Sequence, residues 1–219
     1  MPCNSGIFCM KFYWVKTHPL IRKAFRNYLW KIPTKEKVVY LTFDDGPTPE
    51  VTDFVLSELD KYGFKATFFC IGNNVESHPD IFRKVMENGH SVGNHTYNHV
   101  NGWHVPFDDY MDDVEKCADI LNSHGATSTL FRPPYGKLSL KQSKRLRAEG
   151  FKIVMWDILS ADFDTAITPE RCLNNVVKHI SPGSIIIFHD SVKAFPNLKF
   201  ALPATLKVLK EKGYRSAAL

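Results

Sequence analysis

Short apolar runs alternate with helix-like stretches along most of the chain, and this alternation constrains the fold more than any other feature. Strands separated by helical segments of roughly 10–15 residues predict βαβ units and a parallel sheet. About seven such units predict an α/β fold in which the sheet closes, or nearly closes, into a (β/α) barrel. The apolar runs are VVYLTF (38–43), ATFFCI (66–71), HSVGNH (90–95), TLFRPP (129–134), FKIVMWDI (151–158), SIIIFHD (184–190) and YRSAAL (214–219).

The charge distribution separates the first 37 residues from the rest. Residues 1–37 contain eight Lys or Arg residues and one acid, whereas the remaining chain has 20 basic and 22 acidic residues. We therefore predict a basic N-terminal extension (1–37) and one barrel domain (38–219). Apolar residues recur at helical spacing between Leu20 and Ile32, which predicts a helix that packs on the barrel. An amphipathic helix on an anionic membrane surface is the alternative.

Charged and imidazole side chains lie at the ends of the apolar runs. The C-terminal ends of parallel strands gather on one face of a barrel, where catalytic groups are found. A common site at that face explains this distribution better than solvation alone. The residues concerned are Asp44, Asp45, His95, Arg132, Asp157, Asp162 and His189.

The adjacent carboxylates of Asp44 and Asp45 require a cation or a shared proton, because like charges repel. His95 and His99 are four residues apart, so a helical backbone there would place both imidazoles on one side. One carboxylate and two imidazoles make a metal site that keeps positions open for water and substrate. One aspartate would then bind the metal, while the other stays free as a base.

Five segments occur in the order and approximate spacing of the motifs of polysaccharide deacetylases, the family-4 carbohydrate esterases that include the nodulation-factor deacetylases. They are TFDDGP, HSVGNHTYNH, RPPYG, WDILSADF and IIIFHD. The chain resembles this family over residues 38 to about 215. The resemblance implies a distorted, TIM-like (β/α) barrel and a metal-dependent hydrolase that removes acetyl groups, above all N-acetyl groups, from amino-sugar oligosaccharides or polysaccharides.

The resemblance also implies a role for each motif residue. The metal ligands would be Asp45, His95 and His99. Asp44 would be the general base and Arg132 the residue that pairs with it. His189 would be the general acid, oriented by Asp162, and the backbone N–H of Tyr135 would stabilise the oxyanion. The substrate-binding residues would be Pro134, Tyr135, Trp156, Phe163 and Ile187. Phe163 stands where the family often has Trp, so stacking against the sugar would differ.

Each motif residue also has a purely structural interpretation. Asp44 and Asp45 could form a helix-capping turn, and His95 and His99 could be surface residues of a helix. Arg132 could serve only in an ion pair, and His189 could be a buried histidine with satisfied hydrogen bonds. We favour the catalytic interpretation because these residues occur together at successive strand ends. His90 opens the second motif and is interpreted as a packing residue or as one that supports the site from behind the ligands.

The expected cofactor is a divalent metal, with Zn²⁺ preferred and Co²⁺, Ni²⁺ or Mn²⁺ as alternatives. The expected partner is an acetylated carbohydrate, without nucleic acid. No apolar run of about 18 residues occurs, and the cysteines follow no disulfide pattern. We therefore expect a cytoplasmic location, with peripheral contact at the inner membrane surface as an option. Two other functions stay open: deacylation of a lipid-linked glycan at the membrane, and sugar binding without catalysis.

Overall fold

Seven parallel strands curl into an incomplete barrel in the computed structural model, which describes residues 13–219. The strands are β1 (Val38–Asp44), β2 (Ala66–Cys70), β3 (Ser91–Asn94), β4 (Leu130–Phe131), β5 (Lys152–Ile153), β6 (Ile158–Leu159), β7 (Ile185–His189) and the short β8 (Arg215–Ser216), which pairs with the start of β1. The helices are α1 (Pro19–Ala24), α2 (Val51–Asp60), α3 (Gly72–Ser77), α4 (Pro79–Glu87), α5 (Phe107–Ser123), α6 (Leu140–Ala148), α7 (Pro169–Val177) and α8 (Phe195–Glu211), with a 3₁₀ turn at Pro134–Gly136. The predicted distorted (β/α) barrel is confirmed.

The strand register places the C-terminal ends of neighbouring strands side by side. The sheet order is β5-β4-β3-β2-β1-β7-β6. Asp44 of β1 pairs with His189 of β7, and on its other side with Phe69 of β2. Asn94 of β3 pairs with Phe131 of β4, so the residues that follow these two strands also meet at the same edge. The candidate site lies along this edge.

Side chains along β1 point alternately toward the surrounding helices and toward the barrel interior. Val39, Leu41 and Phe43 pack in one cluster with apolar residues of α2 and α8. The Phe43 ring stacks on Phe68 and Phe188, with centroids 5.1 and 6.0 Å apart. Successive side chains of a strand point to opposite faces. The alternate residues of β1, including Asp44 at its end, therefore belong to the interior face.

The N-terminal segment covers the gap between β5 and β6. Lys16 pairs with Ile158 in an antiparallel bridge, and Leu29 pairs with Val154 in a parallel bridge. Lys31 makes a third bridge to Ser184. The buried Asp157 carboxylate reinforces this arrangement by accepting a hydrogen bond from Lys16 Nζ at 2.6 Å. The segment therefore completes the barrel wall where the sheet itself is open.

The extension differs from the helix that its spacing predicts. Within residues 13–37, only Pro19–Ala24 is helical. Beyond it, the Leu29 N–H donates to the Ile153 carbonyl and the Met155 N–H donates to the Leu29 carbonyl, each at 2.8 Å. Main-chain pairing with the barrel thus replaces helical hydrogen bonds in this part of the extension. In residues 13–219, no helix is both long enough and apolar enough to cross a bilayer.

One other element differs from the sequence-based expectation. FKIVMWDI forms two short strands, β5 and β6, because the N-terminal segment pairs with the chain between and beyond them. Helix α2 begins at Val51, with Glu50 at the N-cap position. Cys70, Cys117 and Cys172 are buried free thiols, whereas Cys3 and Cys9 lie outside the described residues.

Candidate active site

A cavity of about 770 Å³ opens at the C-terminal edge of the strands. Its floor carries Asp44 and Asp45 from the end of β1 and His189 from the end of β7. His95 and His99 enter from the loop after β3, and Tyr135 from the 3₁₀ turn after β4. This volume lies in the usual range of small-molecule sites.

Asp45, His95 and His99 form a cluster that fits a metal ion. Asp45 Oδ1 lies 3.3 Å from His99 Nε2 and 3.7 Å from His95 Nε2. Ligands about 2.0–2.1 Å from a tetrahedral zinc lie about 3.3 Å from one another. Asp45 Oδ1 is also buried without accepting a hydrogen bond from any residue in 13–219. An unpaired buried carboxylate oxygen beside two imidazoles is expected where a cation binds.

The protonation state of His95 suits metal binding. Its Nδ1 lies 2.7 Å from the Arg132 carbonyl oxygen, which can only accept, so Nδ1 carries the proton and Nε2 keeps its lone pair. Burial lowers the pKa of His95 to about 4 against the opposing charge of Asp44. The imidazole is therefore neutral at pH 7, as a metal ligand must be.

A loop brings His95 and His99 together, whereas the sequence analysis considered a helix at this position. Thr96 and His99 have positive φ values of 63° and 55°, which turn the chain back on itself. The Asp113 carboxylate of α5 holds this loop by accepting hydrogen bonds from the backbone N–H groups of Tyr97 and Asn98. The spacing of four residues is thus compatible with metal binding because the loop turns back on itself, and not because a helical turn aligns the two imidazoles.

Asp44 is fixed by a fully buried arginine. Arg132 NH1 donates to Asp44 Oδ1 at 2.6 Å, while Nε and NH2 donate to the carbonyls of Val154 and Met155. The guanidinium also lies 4.1 Å from the centroid of the Phe69 ring. Asp44 Oδ2 points toward the metal cluster and lies 3.8 Å from His95 Nε2. One carboxylate oxygen is thus anchored, and the other lies beside the cluster.

His189 is held by Asp162 from the loop after β6. The His189 Nδ1 lies 2.8 Å from Asp162 Oδ1, and the backbone N–H of His189 donates to Oδ2. Burial acts to lower the pKa of His189, but the Asp162 carboxylate outweighs it and raises the pKa to about 9. Ser160 and Asn197 hydrogen-bond to Asp162 and fix it in turn. His189 is therefore a cation at pH 7.

The walls of the cavity are mainly aromatic. Tyr135, Trp156, Phe163 and Ile187 all line it, as the resemblance implies. Pro134 is not among the residues that line it; Pro133 forms that part of the wall. The 3₁₀ turn explains the difference, because its φ of 59° at Tyr135 turns that residue toward His99.

Three further residues contribute to the site without having been singled out in the sequence. Asp190 accepts hydrogen bonds from the Gly46 N–H and the Thr52 hydroxyl, and so fixes the turn that carries Asp45. Asn74 donates to the Asp45 carbonyl at 2.7 Å. Tyr13 lines the cavity from the N-terminal segment. Asp190 follows the motif histidine and could have been suspected, whereas the other two have no sequence signal.

Comparison with known proteins agrees with this geometry. Residues 31–154 match the family model for polysaccharide deacetylase. A peptidoglycan-N-acetylglucosamine deacetylase from Bacillus cereus is 36% identical over 196 residues, which cover 88% of this chain and 70% of that protein. A chitooligosaccharide deacetylase from Azorhizobium caulinodans is 33% identical over 165 residues, or 73% of this chain and 77% of that protein.

A solved structure shares the fold as well. It is a peptidoglycan N-acetylglucosamine deacetylase in complex with 4-naphthalen-1-yl-N-oxidanyl-benzamide. The two structures agree with a TM-score of 0.83 at 35% sequence identity, covering 88% of this chain and 91% of the other. The likeness therefore extends over most of the chain.

Proposed function

Because the chain belongs to the polysaccharide deacetylase family, we propose that its cavity binds an N-acetylated amino sugar with the acetamide carbon beside Asp44. The protein is a carbohydrate deacetylase, a hydrolase that acts on the amide bond between acetate and a sugar amine. The relatives named above act on peptidoglycan N-acetylglucosamine and on chitooligosaccharides. We propose N-acetylglucosamine units of such glycans as the substrate.

Asp45, His95 and His99 would hold the divalent metal. The metal supplies Lewis acidity, which polarises an amide carbonyl and lowers the pKa of water. Two imidazoles and one carboxylate favour Zn²⁺, and they also accept Co²⁺, Ni²⁺ or Mn²⁺. The observation that supports this assignment is the buried Asp45 Oδ1, which accepts no hydrogen bond within residues 13–219 although two imidazole nitrogens lie beside it.

Asp44 would take the proton from the attacking water. Its Oδ1 is engaged by Arg132, so Oδ2 is the oxygen available to the water. The buried guanidinium fixes the orientation of the carboxylate, as a general base requires. The interior position of this pair limits competition from bulk water.

His189 would protonate the sugar amine as the bond to the acetyl carbon breaks. It carries the required proton at pH 7 because of Asp162, and it lines the same cavity as His95 and His99. The Tyr135 N–H would donate a hydrogen bond to the oxyanion of the tetrahedral intermediate. Transfer of one proton to Asp44 and of one from His189 balances the hydrolysis, which yields acetate and the free amine.

An acetate-release assay tests this function. The panel comprises chitooligosaccharides, peptidoglycan fragments and acetylated xylan, each measured after chelation and after return of Zn²⁺, Co²⁺, Ni²⁺ or Mn²⁺. We expect release from the amino-sugar substrates, loss after chelation, and recovery with zinc. Release from xylan alone would overturn the amide preference, and full activity in the chelated enzyme would overturn the metal assignment.

The comparisons do not favour the two alternatives that the sequence left open. The similar proteins are named as deacetylases of peptidoglycan and of chitooligosaccharides, and neither name refers to a lipid-linked glycan. Every position that the family motifs require is also occupied, from Asp44 to His189, which argues against a sugar-binding protein without catalysis.

A further inference from the structure

The N-terminal segment extends the sheet beyond β6 and reaches the active-site cavity. Strand β6 ends the sheet order and has β7 as its neighbour. On the other side of β6, the Leu159 N–H donates to the Val15 carbonyl at 2.8 Å. The Thr17 N–H donates to the Asp157 carbonyl at 2.9 Å. This pairing is antiparallel, so Tyr13, which precedes it, lies toward the C-terminal end of β6 and lines the cavity.

Tyr13 contacts the loop that follows β6. Its hydroxyl donates to Asp164 Oδ2 at 3.0 Å. Its ring meets the Phe163 ring edge-on, with centroids 5.8 Å apart. Burial and the Asp164 carboxylate raise the pKa of Tyr13 to about 12, so the phenol keeps its proton and acts as the donor. We call this loop the acid loop (160–164), because it carries the partner of His189.

The acid loop touches His189 through two consecutive residues. Asp162 accepts hydrogen bonds from Nδ1 and from the backbone N–H of His189, each at 2.8 Å. The Phe163 ring meets the His189 ring edge-on, with centroids 5.0 Å apart. Phe163 therefore contacts both Tyr13 and His189. A shift of the acid loop would move the hydrogen-bond partner and the packing partner of His189 together.

The acid loop needs support from outside, because part of its backbone is strained. Ala161 has a positive φ of 61°, and such a conformation persists in a residue with a Cβ only where the surroundings enforce it. Asn197 of α8 donates to the carbonyl oxygens of Asp162 and Asp164. Tyr13 adds a contact from the N-terminal segment, which covers the outer edge of β6. The loop is thus held from two different elements.

We propose that Tyr13 is a positioning residue for the deacetylation, because it holds the acid loop where Asp162 orients His189. This proposal rests on the proposed function, in which His189 protonates the departing amine. Tyr13 lies outside the five motif segments and outside residues 31–154, which match the family model. A general acid must lie within hydrogen-bond reach of the leaving atom, and a displacement of about 1 Å can cost about 100-fold in rate.

The dependence of activity on the leaving group tests this role. A sugar amine leaves only when a general acid protonates it, whereas 4-nitrophenolate leaves as an anion without one. The probes are an N-acetylglucosamine tetramer and 4-nitrophenyl acetate, and kcat and KM are measured for each. Tyr13→Ala should lower kcat for the tetramer about ten- to 100-fold with KM nearly unchanged, and should leave kcat for the aryl ester within about twofold of wild type.

A conservative variant and a matched control accompany this substitution. Tyr13→Phe keeps the ring against Phe163 and removes the hydrogen bond to Asp164. Its kcat for the tetramer should fall about threefold, less than in Tyr13→Ala. Tyr62→Ala removes a half-buried tyrosine that follows α2 and packs on Phe64 with centroids 5.7 Å apart. Tyr62 is not among the residues that line the cavity, and its loss should leave kcat for both substrates unchanged.

Three kinetic results would overturn the proposal. An unchanged kcat for the tetramer in Tyr13→Ala would mean that the contact does not serve catalysis. A higher KM at unchanged kcat would make Tyr13 a substrate contact instead. An equal loss of kcat with the tetramer and with the aryl ester would mean that the substitution disturbs the site in general and not the proton transfer to the amine.

Hydrogen exchange separates this proposal from the proposed function, because it needs no turnover. Exchange of backbone amides in a peptide that spans the acid loop is followed by mass spectrometry in zinc-loaded wild type, Tyr13→Ala and Tyr62→Ala. Only Tyr13→Ala should exchange faster there, by about tenfold, with an unchanged zinc content. Equal exchange in the three proteins overturns the proposal. If wild type releases no acetate from the tetramer, the proposed function fails, and faster exchange still supports the hold of Tyr13 on the loop.

Discussion

At the scale of single residues, three residues of the site have positive φ values, a backbone conformation that residues other than glycine rarely adopt. Asp45, His99 and Tyr135 have φ values of 82°, 55° and 59°. Such conformations cost of the order of 1 kcal/mol or more for residues with a Cβ and persist only where the surroundings enforce them. Asp190 and Asp113 provide that enforcement for the turns beside Asp45 and His99. The backbone strain thus directs side chains into the cavity.

Asp44→Asn should abolish turnover and leave the metal content close to that of wild type. The amide can still accept the Arg132 hydrogen bond, but it cannot take a proton from water. Acetate release should fall by about 10³-fold or more, while elemental analysis still finds one zinc per chain. Asp53→Asn, on the surface of α2, serves as the matched control. Loss of zinc from Asp44→Asn would show that Asp44 is a ligand.

His99→Ala should instead remove the metal. Two ligands, Asp45 and His95, remain, and metal affinity should fall at least about 100-fold because a structurally fixed donor is lost. Elemental analysis after dialysis against a weak chelator measures the effect. His124→Ala, at the end of α5, is the control. A full zinc complement in His99→Ala would refute the ligand assignment.

Asp162→Asn should shift the alkaline limb of the pH profile. Asp162 raises the pKa of His189 to about 9, so His189, the proposed general acid, should keep its proton up to that pH, and activity should fall above it. Without the carboxylate charge the pKa falls, and the alkaline limb of kcat/KM should move to lower pH by about one pH unit or more. Asp112→Asn, on the exposed face of α5, provides the control profile. If the alkaline limb of Asp162→Asn lies at the same pH as that of wild type, His189 is not the acid that titrates there.

At the scale of elements, the contact between the N-terminal segment and β7 depends on Gly183. Its φ is +78°, and an added Cβ would lie 1.7 Å from the Ile32 carbonyl oxygen. Gly183→Ala should therefore lower the free energy of unfolding by about 2–4 kcal/mol, measured by urea denaturation.

Gly63→Ala is the matched control for this substitution. Gly63 also has a positive φ, +62°, but an added Cβ would meet no atom within 4 Å. Gly63→Ala should therefore lower the free energy of unfolding by only about 1 kcal/mol, the cost of placing an alanine in the left-handed backbone region. Equal destabilisation by the two substitutions would show that the packing against Ile32 contributes nothing.

Periodicity predicted the long helices better than the segments whose structure depends on distant partners. Helix α5 (Phe107–Ser123) is one of the helical segments that the alternation predicts, because its apolar spacing and its own hydrogen bonds decide its structure. The N-terminal segment has equally clear helical spacing, yet strand bridges at Leu29 and Lys31 override it. Local patterns do not reveal where a sheet leaves main-chain groups available for pairing.

At the scale of the whole molecule, the sequence could predict that the candidate site residues lie together, because parallel strands bring their C-terminal ends to one edge. Asp44 and His189, separated by 145 positions, lie in direct register. The same reasoning could not anticipate the second cavity, of about 500 Å³, whose walls come from the N-terminal segment and from the loop around Trp103. Those two parts approach each other only through the folded barrel.

The central claim is that Asp45, His95 and His99 bind one divalent metal while Asp44 remains free beside it. A crystal structure of the zinc-loaded protein, with anomalous diffraction measured at the zinc edge, tests it most directly. We predict one anomalous peak about 2.0–2.2 Å from Asp45 Oδ1 and the two Nε2 atoms, with Asp44 still paired to Arg132. A map without a peak between these three residues, or with Asp44 among the ligands, would contradict the account.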